Sequence, residues 1–308
     1  MKLLKTRKYW SFRMNFFIAT KPLQYLNCLN IPVDGGRSML LVDSFKDASI
    51  FYKNILKLGE WDYINLFADE TSLYKFLRTR ISKDDKLFID SDYGLKTKFR
   101  LQSLKVNNIF VYEEGVGSYR NDLLSSLNYH PLKTWMLKLL GVKEHMGGTS
   151  LVKGLYIYDV DKHISRVPDF KNNRYLFERS FDNQISRYKS HLIENFADFE
   201  KYYKIKYENK DVYLYLTSWK YNEKADILFN DMITDNSHAR PSFIIKPHPH
   251  IKDIKFHFSY DDVIEGNIMA ELLIIILHAT ARSLTVIHEG SSVIHYFPTL
   301  NQINLHTK

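Results

Sequence analysis

Two adjacent glutamates and a glycine are the residues of this sequence best suited to proton transfer. Glu113, Glu114 and Gly115 follow an apolar run that ends at Tyr112. The charge of one carboxylate, together with burial, can raise the pKa of its neighbour toward that of a general base. Glycine lets the backbone turn tightly and lets a substrate approach closely. The pattern predicts a base in a tight turn, and the plainer alternative is an acidic turn that faces solvent.

A histidine between two prolines is the second candidate. The segment Lys246-Pro247-His248-Pro249 follows the apolar run 243–245. Because each proline fixes φ at about −65° and removes a backbone donor, the loop should be stiff and should hold the imidazole in one place. The imidazole can then serve as an acid or as a phosphate partner, and Lys246 adds charge for an anion. A purely structural turn is the alternative.

Two serines after a third apolar run could hold a phosphate. Gly290, Ser291 and Ser292 follow the run 284–287 and precede a helical pattern. Backbone N–H groups at the start of a helix, helped by serine hydroxyls, bind phosphate well. An ordinary serine N-cap is the alternative.

Two acidic pairs have a D-x-D spacing that can hold a metal ion. They are Asp90 with Asp92 and Asp159 with Asp161. A pattern this short that occurs twice in one chain is weak evidence, so we expect no metal site. The P-loop, G-x-G-x-x-G, H-E-x-x-H and C-x-x-C patterns are absent from the sequence.

Short apolar runs must position these residues. They alternate with amphipathic stretches, which predicts parallel strands covered on both faces by helices, an α/β fold. In the first half the runs are 15–19, 39–42, 86–89 and 108–112, and the stretches are 45–56 and 71–81. In the second half the runs are 212–216, 243–245 and 284–287, with helical patterns over 176–207 and 272–277.

The polar residues at the ends of these runs fall into two groups. In open α/β sheets ligands bind outside the carboxyl ends of the strands, so both groups are candidate sites. We therefore expect two α/β domains, 1–165 and 166–308, with residues 1–13 as an extension ahead of the first strand. The expected arrangement has the two domains facing a central cleft.

Composition and charge exclude several classes of protein. The 308 residues are 45% apolar and 25% charged, which excludes a disordered, collagen-like or coiled-coil chain. The net charge of +8 suits an anionic substrate or an anionic membrane surface and does not by itself establish nucleic-acid binding. Cys28 is the one cysteine, so an intrachain disulfide is excluded and a reducing cytoplasm is the simpler compartment.

The first ten residues are basic and are not followed by the apolar core of a signal peptide. Their lysines and Trp10 could rest on anionic lipid, and a solvated tail is the plainer alternative. The apolar run 272–277 is far shorter than the about 20 residues that span a bilayer, so it predicts a buried helix.

Taken in order, these elements resemble the bacterial sialyltransferases, glycosyltransferase family 52 in particular, with related motifs in the bacterial polysialyltransferases. The resemblance covers residues 14–300. The matching segments are Phe17–Gln24 for the strand and P-L-Q turn, Glu113-Glu114-Gly115 for the D/E-D/E-G motif, Lys246–Pro249 for K-P-H-P, Met269–Leu273 for the P-x-E-x-L helix, and Ser291-Ser292 for the serine pair. Met269 stands where proline is usual, and the chain ends at Lys308, early for this family.

The resemblance implies a role for each matched residue. Glu114 would deprotonate the acceptor hydroxyl, and His248 would meet the departing CMP phosphate, which Ser291 and Ser292 would hold. On the donor side it adds Lys246, Pro249, Thr217, Ser218 and Glu271. On the acceptor side it adds Thr20, Gln24, Glu113, Gly115 and Asp92.

The resemblance also implies a GT-B fold of two Rossmann-like domains, with acceptor binding by 1–165 and CMP-donor binding by 166–308. The donor would be CMP-sialic acid, with inversion and without a metal or a further cofactor. The acceptor would be a galactose- or sialic-acid-terminated cell-surface glycan, such as lipooligosaccharide or capsule. It implies a cytoplasmic protein, and it allows peripheral contact with the inner membrane and a homodimer.

Three alternatives stay open. The first is a transferase for another CMP-activated nonulosonate or for Kdo, because these donors share the CMP half. The second is a transferase that uses a D-x-D metal site. The third is a basic nucleic-acid-binding protein, although the lysines are spread along the chain and no binding motif accompanies them. We therefore expect no nucleic-acid partner.

Overall fold

A computed structural model describes residues 13–45, 47–127, 129–193, 195–218, 222–235, 240–248, 256–264 and 268–306. Its contacts divide the chain into two units. The first unit runs to Ser186, and the second begins at Arg187 and also takes the short segment Phe45–Asp47. Residues 1–12, on which the expected N-terminal lipid contact rests, lie outside the described residues, and so does Pro249.

The first unit contains a seven-stranded parallel sheet in the order β3-β2-β1-β4-β5-β6-β7. The chain therefore winds outward from β1 in one direction and resumes beside it at β4. In such sheets the crevice at this switch point is the usual ligand site. The strands are β1 Met14–Ala19, β2 Gly36–Val42, β3 Tyr63–Phe67, β4 Lys86–Ile89, β5 Asn108–Tyr112, β6 Val152–Ile157 and β7 Asn173–Leu176.

Helices connect these strands. They are α1 Pro22–Leu29, α2 Ala48–Lys57, α3 Glu70–Arg80, α4 Leu95–Gln102, α5 Pro131–Leu139, α6 Val160–Arg166 and α7 Phe181–Leu192, with short 3-10 turns at Val116–Tyr119 and Ser125–Leu127. The division between the two units falls inside α7. It lies later than the predicted boundary at 165, because β7 pairs with β6 and so belongs to the first sheet.

The core of the first unit lies on both faces of its central strands. All six residues of β1 are buried. On one face Phe17 stacks on Phe88 with ring centroids 4.5 Å apart, and Phe88 stacks on Phe110 at 5.2 Å. A strand buried on both faces needs a continuous apolar run rather than an alternating one, which is why β1 was evident in the sequence.

The second unit repeats this winding with a five-stranded parallel sheet in the order β10-β9-β8-β11-β12. Its switch point therefore lies between β8 and β11. The strands are β8 Asp211–Leu216, β9 Ser242–Lys246, β10 Asp262–Val263, β11 Ser283–His288 and β12 Asn301–Asn304. The helices are α8 Phe196–Tyr207, α9 Glu223–Asp235 and α10 Ala270–His278, followed by a 3-10 turn at Ser292–Tyr296.

The predicted α/β class is confirmed, and the seven apolar runs are strands β1, β2, β4, β5, β8, β9 and β11. The helical interpretation of 176–207 was too simple, since the segment begins at the end of β7 and then forms α7 and α8. The predicted buried helix at 272–277 lies in α10. In the described part of the chain, no helix combines the length and the apolar composition that crossing a bilayer requires.

Candidate functional site

The candidate residues of the first unit meet at its switch point. Pairing of Phe17 with Phe88, and of Ile89 with Val111, brings the carboxyl ends of β1, β4 and β5 to one edge. The residues that follow these strands there include Thr20, Asp90, Glu113 and Glu114. Residues that are distant in the sequence become neighbours because the three strands are adjacent in the sheet.

Gln24 joins these strand ends, and its own orientation is fixed. Pro22 begins α1, and Gln24 lies in the first turn with its side chain directed back to the end of β1. Its Oε1 accepts hydrogen bonds from the backbone N–H of Thr20 at 2.6 Å and from Thr20 Oγ1 at 2.9 Å. Because a backbone N–H can only donate, the oxygen of the Gln24 amide must face Thr20 and its NH₂ group must face away.

The NH₂ group of Gln24 connects two carboxylates. Nε2 donates to Asp90 Oδ2 at 2.8 Å and to Glu114 Oε2 at 2.9 Å. Lys21 Nζ lies 3.8 Å from the same oxygen of Glu114. Gln24 is itself 1% exposed, so this connection is protected from water.

Asp90 shares Gln24 with Glu114 and lies close to it, and these surroundings change how Asp90 titrates. Burial, and then the charge of Glu114, raises the pKa of Asp90 to about 7, against the opposing effects of Lys21 and Gln24. Near neutral pH the pair therefore takes up a proton at Asp90. From the sequence, Asp90 is one of the polar residues expected at the strand ends and half of a D-x-D pair. The signal for its actual position was that it directly follows a buried strand.

The two adjacent glutamates have different surroundings. Glu113 is fully buried, and its Oε2 accepts from Tyr119 Oη at 2.6 Å and from the backbone N–H of Tyr158 at 2.9 Å. Asn27 Nδ2 donates to the Glu113 carbonyl oxygen at 2.7 Å. Glu114 instead keeps 25% of its side chain exposed. Glu113 therefore supports the turn, and Glu114 is the carboxylate that a ligand can reach.

The glycine after the glutamates has a conformation that other residues avoid. Gly115 has φ 118° and ψ −153°, a region essentially restricted to glycine. The turn that follows places Ser118 Oγ 3.1 Å from the backbone N–H of Glu114, which donates to it. The glycine and the serine together fix the direction in which Glu114 leaves β5.

The structure encloses Asp92, which we expected on the acceptor side. It is 1% exposed, and its two oxygens accept from the backbone N–H groups of Gly147 at 2.7 Å and Thr149 at 3.0 Å. Asp92 therefore holds a loop ahead of β6, because two amide donors there need an acceptor. Asp159 similarly caps α6 by accepting from the backbone N–H of Lys162 at 2.8 Å. Within the described ranges, His, Cys, Asp and Glu side chains form no cluster of three or more that could hold a metal ion.

The candidate residues of the second unit also meet at a switch point. Leu216 pairs with Lys246 on one side and with His288 on the other, so β8, β9 and β11 end at the same level. Thr217 and His248 follow the first two strands. Ser218, Ser291 and Ser292 lie at the same edge.

The threonine after β8 orders the loop after β9. Thr217 Oγ1 accepts from the backbone N–H of His248 at 2.9 Å, and the Thr217 N–H donates to the Lys246 carbonyl oxygen at 3.2 Å. Lys246 is buried, and its Nζ donates to the Pro247 carbonyl oxygen at 3.0 Å. Lys246 therefore stabilises this turn, and its expected contact with an anion stays a prediction.

A buried histidine that we did not single out shapes the serine turn. His288 Nδ1 accepts from the backbone N–H groups of Gly290 at 3.1 Å and Ser291 at 3.3 Å. Its Nε2 lies 3.3 Å from Gln302 Oε1. Accepting at Nδ1 requires the neutral ring with its proton on Nε2, and burial also lowers the pKa of His288. The signal in the sequence was a histidine at the end of a buried strand, two residues before the glycine.

The remaining donor-side residues lie at the same edge of the second sheet. Ser291 Oγ accepts from the backbone N–H of Val293 at 3.3 Å, so this serine caps the 3-10 turn. Glu289 accepts from Tyr215 Oη and, at 3.5 Å, from the Ser218 N–H.

Glu271 is buried in the first turn of α10. Met269 precedes that helix with φ −69°, a value that proline also has, so methionine leaves the helix start intact.

Comparison with solved structures identifies the fold. The chain matches an alpha/beta-galactoside alpha-2,3-sialyltransferase from Photobacterium phosphoreum over 95% of its own length and 90% of that chain, with a TM-score of 0.54 and 12% identity. It matches the GT-B domain of a sialyltransferase from Photobacterium damselae over 94% and 89%, with a TM-score of 0.50 and 12% identity. A UDP-N-acetylglucosamine 2-epimerase from Rickettsia bellii matches over 96% and 79%, with a TM-score of 0.56 and 11% identity.

The expected GT-B fold is thereby confirmed. At such low identity these likenesses establish the fold alone, and two transferases share it with an epimerase. The chemistry must therefore be argued from the residues of this chain. No family model and no curated protein sequence matches the chain.

The Asp90 carboxyl predicts a specific pH dependence of stability. Its pKa is about 7 in the folded state, against about 3.9 in an unfolded chain. Between these values the folded state binds more protons, so the free energy of unfolding falls as pH rises toward about 7. Asp90→Asn removes this titration. The melting temperature of the variant, relative to that of the wild type, should therefore increase as the pH is raised from about 5 to about 8.

Thermal unfolding across that range provides the measurement. Asp43→Asn is the matched control, because Asp43 is exposed and its replacement removes the same charge. If Asp90→Asn and the wild type lose stability in parallel as pH rises, Asp90 is not the group that takes up the proton.

Proposed function

We propose that this protein is an inverting, metal-independent sialyltransferase that moves sialic acid from CMP-sialic acid to a galactose- or sialic-acid-terminated cell-surface glycan. One observation carries the proposal. Each unit has residues of a different chemical type at its switch point, an oriented carboxylate in the first and a histidine with a serine turn in the second. Transfer from a nucleotide sugar needs both types, because one activates the acceptor and the other stabilises the leaving phosphate.

Glu114 acts as the general base of the proposed reaction. The acceptor hydroxyl attacks the anomeric carbon of the sugar, and its proton passes to a Glu114 oxygen. Gln24 holds Oε2 of that carboxylate, and Lys21 lies near the same oxygen, which supports a fixed direction of approach. Holding a base in place lowers the entropic part of the barrier.

The second unit stabilises the leaving group of the proposed reaction. As the bond between the anomeric carbon and the phosphate oxygen breaks, its electron pair passes to CMP. His248 meets the phosphate, and Ser291 and Ser292 hold it with their hydroxyl groups. The hydrogen bond of Thr217 to the His248 backbone, and those that His288 accepts from the serine turn, support this preorganisation.

One displacement with one base gives inversion at the anomeric carbon. Retention would need a nucleophile that forms and then breaks a bond to the sugar, whereas the proposed role of Glu114 is to accept a proton. The proton and the leaving group each have a protein partner, so the mechanism uses no metal.

Nucleotide binding tests the donor. CMP should raise the melting temperature more than UMP, UDP or AMP, with a stabilisation of about 2.7 kcal/mol at a hundredfold excess over Kd. His248→Ala should weaken CMP binding by about tenfold, because it removes a group that contacts the phosphate. His278→Ala, at the exposed end of α10, is the matched control and should bind CMP like the wild type.

Three outcomes would count against the proposal. Equal stabilisation by all four nucleotides would remove the preference for CMP. A preference for UDP would favour the donor class of the epimerase. Salt-dependent retention on DNA without CMP binding would favour the nucleic-acid alternative. A panel of CMP-activated sugars, followed by CMP release, distinguishes sialic acid from other nonulosonates and Kdo.

Chelation tests the proposed independence from metals. Transfer from CMP-sialic acid should proceed at an unchanged rate in excess EDTA, because Glu114 and His248 need no ion for their proposed roles. Loss of transfer with EDTA, restored by Mg²⁺ or Mn²⁺, would contradict this and would favour a metal-dependent transferase.

A further inference from the structure

Helix α5 presents an apolar stripe to solvent. Leu132, Trp135, Met136 and Leu139 have the i, i+3, i+4, i+7 spacing that puts side chains on one face of a helix. They are 59%, 58%, 51% and 66% exposed, and no residue of α5 is buried. Such a stripe normally faces a core, so its exposure calls for a partner.

The helix is nevertheless capped at both ends and is fixed to the first unit at its C-terminal end. At its start Pro131 occupies the first turn, and His130 accepts from the backbone N–H of Leu132. At its end Lys98 Nζ donates to the Leu140 carbonyl oxygen, and the buried Val142 donates its N–H to Leu137 at 3.0 Å. The exposed stripe is therefore carried by an anchored helix.

A salt bridge also connects α5 to the turn that precedes it in the chain. Lys138 Nζ lies 2.9 Å from Glu144 Oε1. The other oxygen of Glu144 accepts from the backbone N–H groups of Leu124 and Ser125, each at 3.0 Å. Through Glu144 the helix is joined to the turn that precedes it.

The segment that carries the stripe has charges of one sign. The 21 residues between Asp122 and Glu144 include three lysines and no acidic residue. Lys133 and Lys143 are exposed, and Lys133 Nζ lies 3.5 Å from the ring centroid of the exposed Tyr129. An apolar stripe bordered by cations matches a surface that is apolar inside and negatively charged at its rim. A second copy of this face would instead bring like charges together.

We propose that α5 docks the first unit on an anionic phospholipid bilayer. The four apolar side chains enter the boundary between headgroups and acyl chains, with the Trp135 indole at the interface. Lys133 and Lys143 lay their aliphatic stems along the apolar layer and direct their ammonium groups to lipid phosphates. The residues of this surface are not among those assigned to either switch point, and its test does not depend on the proposed transferase activity.

Sedimentation with vesicles tests the stripe. The full chain should bind vesicles of phosphatidylglycerol and phosphatidylethanolamine and should bind phosphatidylcholine vesicles at least about tenfold more weakly. The double variant Leu132→Ser, Leu139→Ser should lose about tenfold or more of the binding to anionic vesicles, because it removes two apolar anchors. Its matched control is Ile205→Ser, Ile227→Ser, which changes two residues that are 68% and 63% exposed on other helices.

A charge variant and a spectroscopic signal complete the test. Lys133→Glu, Lys143→Glu should bind anionic vesicles more weakly than Lys153→Glu, Lys171→Glu, which removes two exposed lysines elsewhere in the same unit. Anionic vesicles should shift the tryptophan emission of the wild type to shorter wavelength, and Trp135→Phe should remove most of that shift.

Four results would overturn the proposal. The first is no binding of the wild type to anionic vesicles. The second is undiminished binding by the double serine variant, which would locate the contact elsewhere. The third is equal binding to neutral and anionic vesicles. The fourth is a lipid-free dimer that the double serine variant converts to a monomer, which would assign the stripe to a second copy of the chain.

Discussion

The carboxamide of Gln24 is the interaction on which the account of the first unit depends. It joins the end of β1 to the residues that follow β4 and β5, and the Thr20 N–H fixes which of its atoms faces the carboxylates. Without that amide two acidic side chains would face each other with no donor between them. With it, Glu114 keeps one direction and partial exposure. Burial and the charge of Glu114, which Gln24 only partly opposes, raise the pKa of Asp90 to about 7.

The same principle organises the second unit with different atoms. There the Thr217 hydroxyl and the His288 ring order the two loops that carry His248 and the serines. In both units a buried polar group orients residues that follow the ends of the strands. Parallel winding makes this arrangement repeatable, because it brings the carboxyl ends of adjacent strands to one edge.

The sequence predicted the buried strands and the loops after them, since a continuous apolar run that stops at polar residues is a strong local signal. It missed β3 and β7, which are half-buried, and β6, which Lys153 and Gly154 interrupt. It could not predict the contact between Gln24 and Asp90, because that contact requires β1 to lie beside β4. It placed Asp92 on the acceptor side because the residue type alone does not reveal burial.

Single-turnover transfer from CMP-sialic acid by Glu114→Gln and Glu113→Gln tests the central claim most directly. Glu114→Gln keeps the size and hydrogen bonding of the side chain but cannot accept the proton, so the rate should fall by about 10²–10⁴-fold with little change in CMP affinity. Glu113→Gln should have a milder effect on the rate and should lower the melting temperature, because its buried carboxylate accepts two hydrogen bonds. Near-wild-type transfer by Glu114→Gln would contradict the account, and a folded but inactive Glu113→Gln would assign the base to the other glutamate.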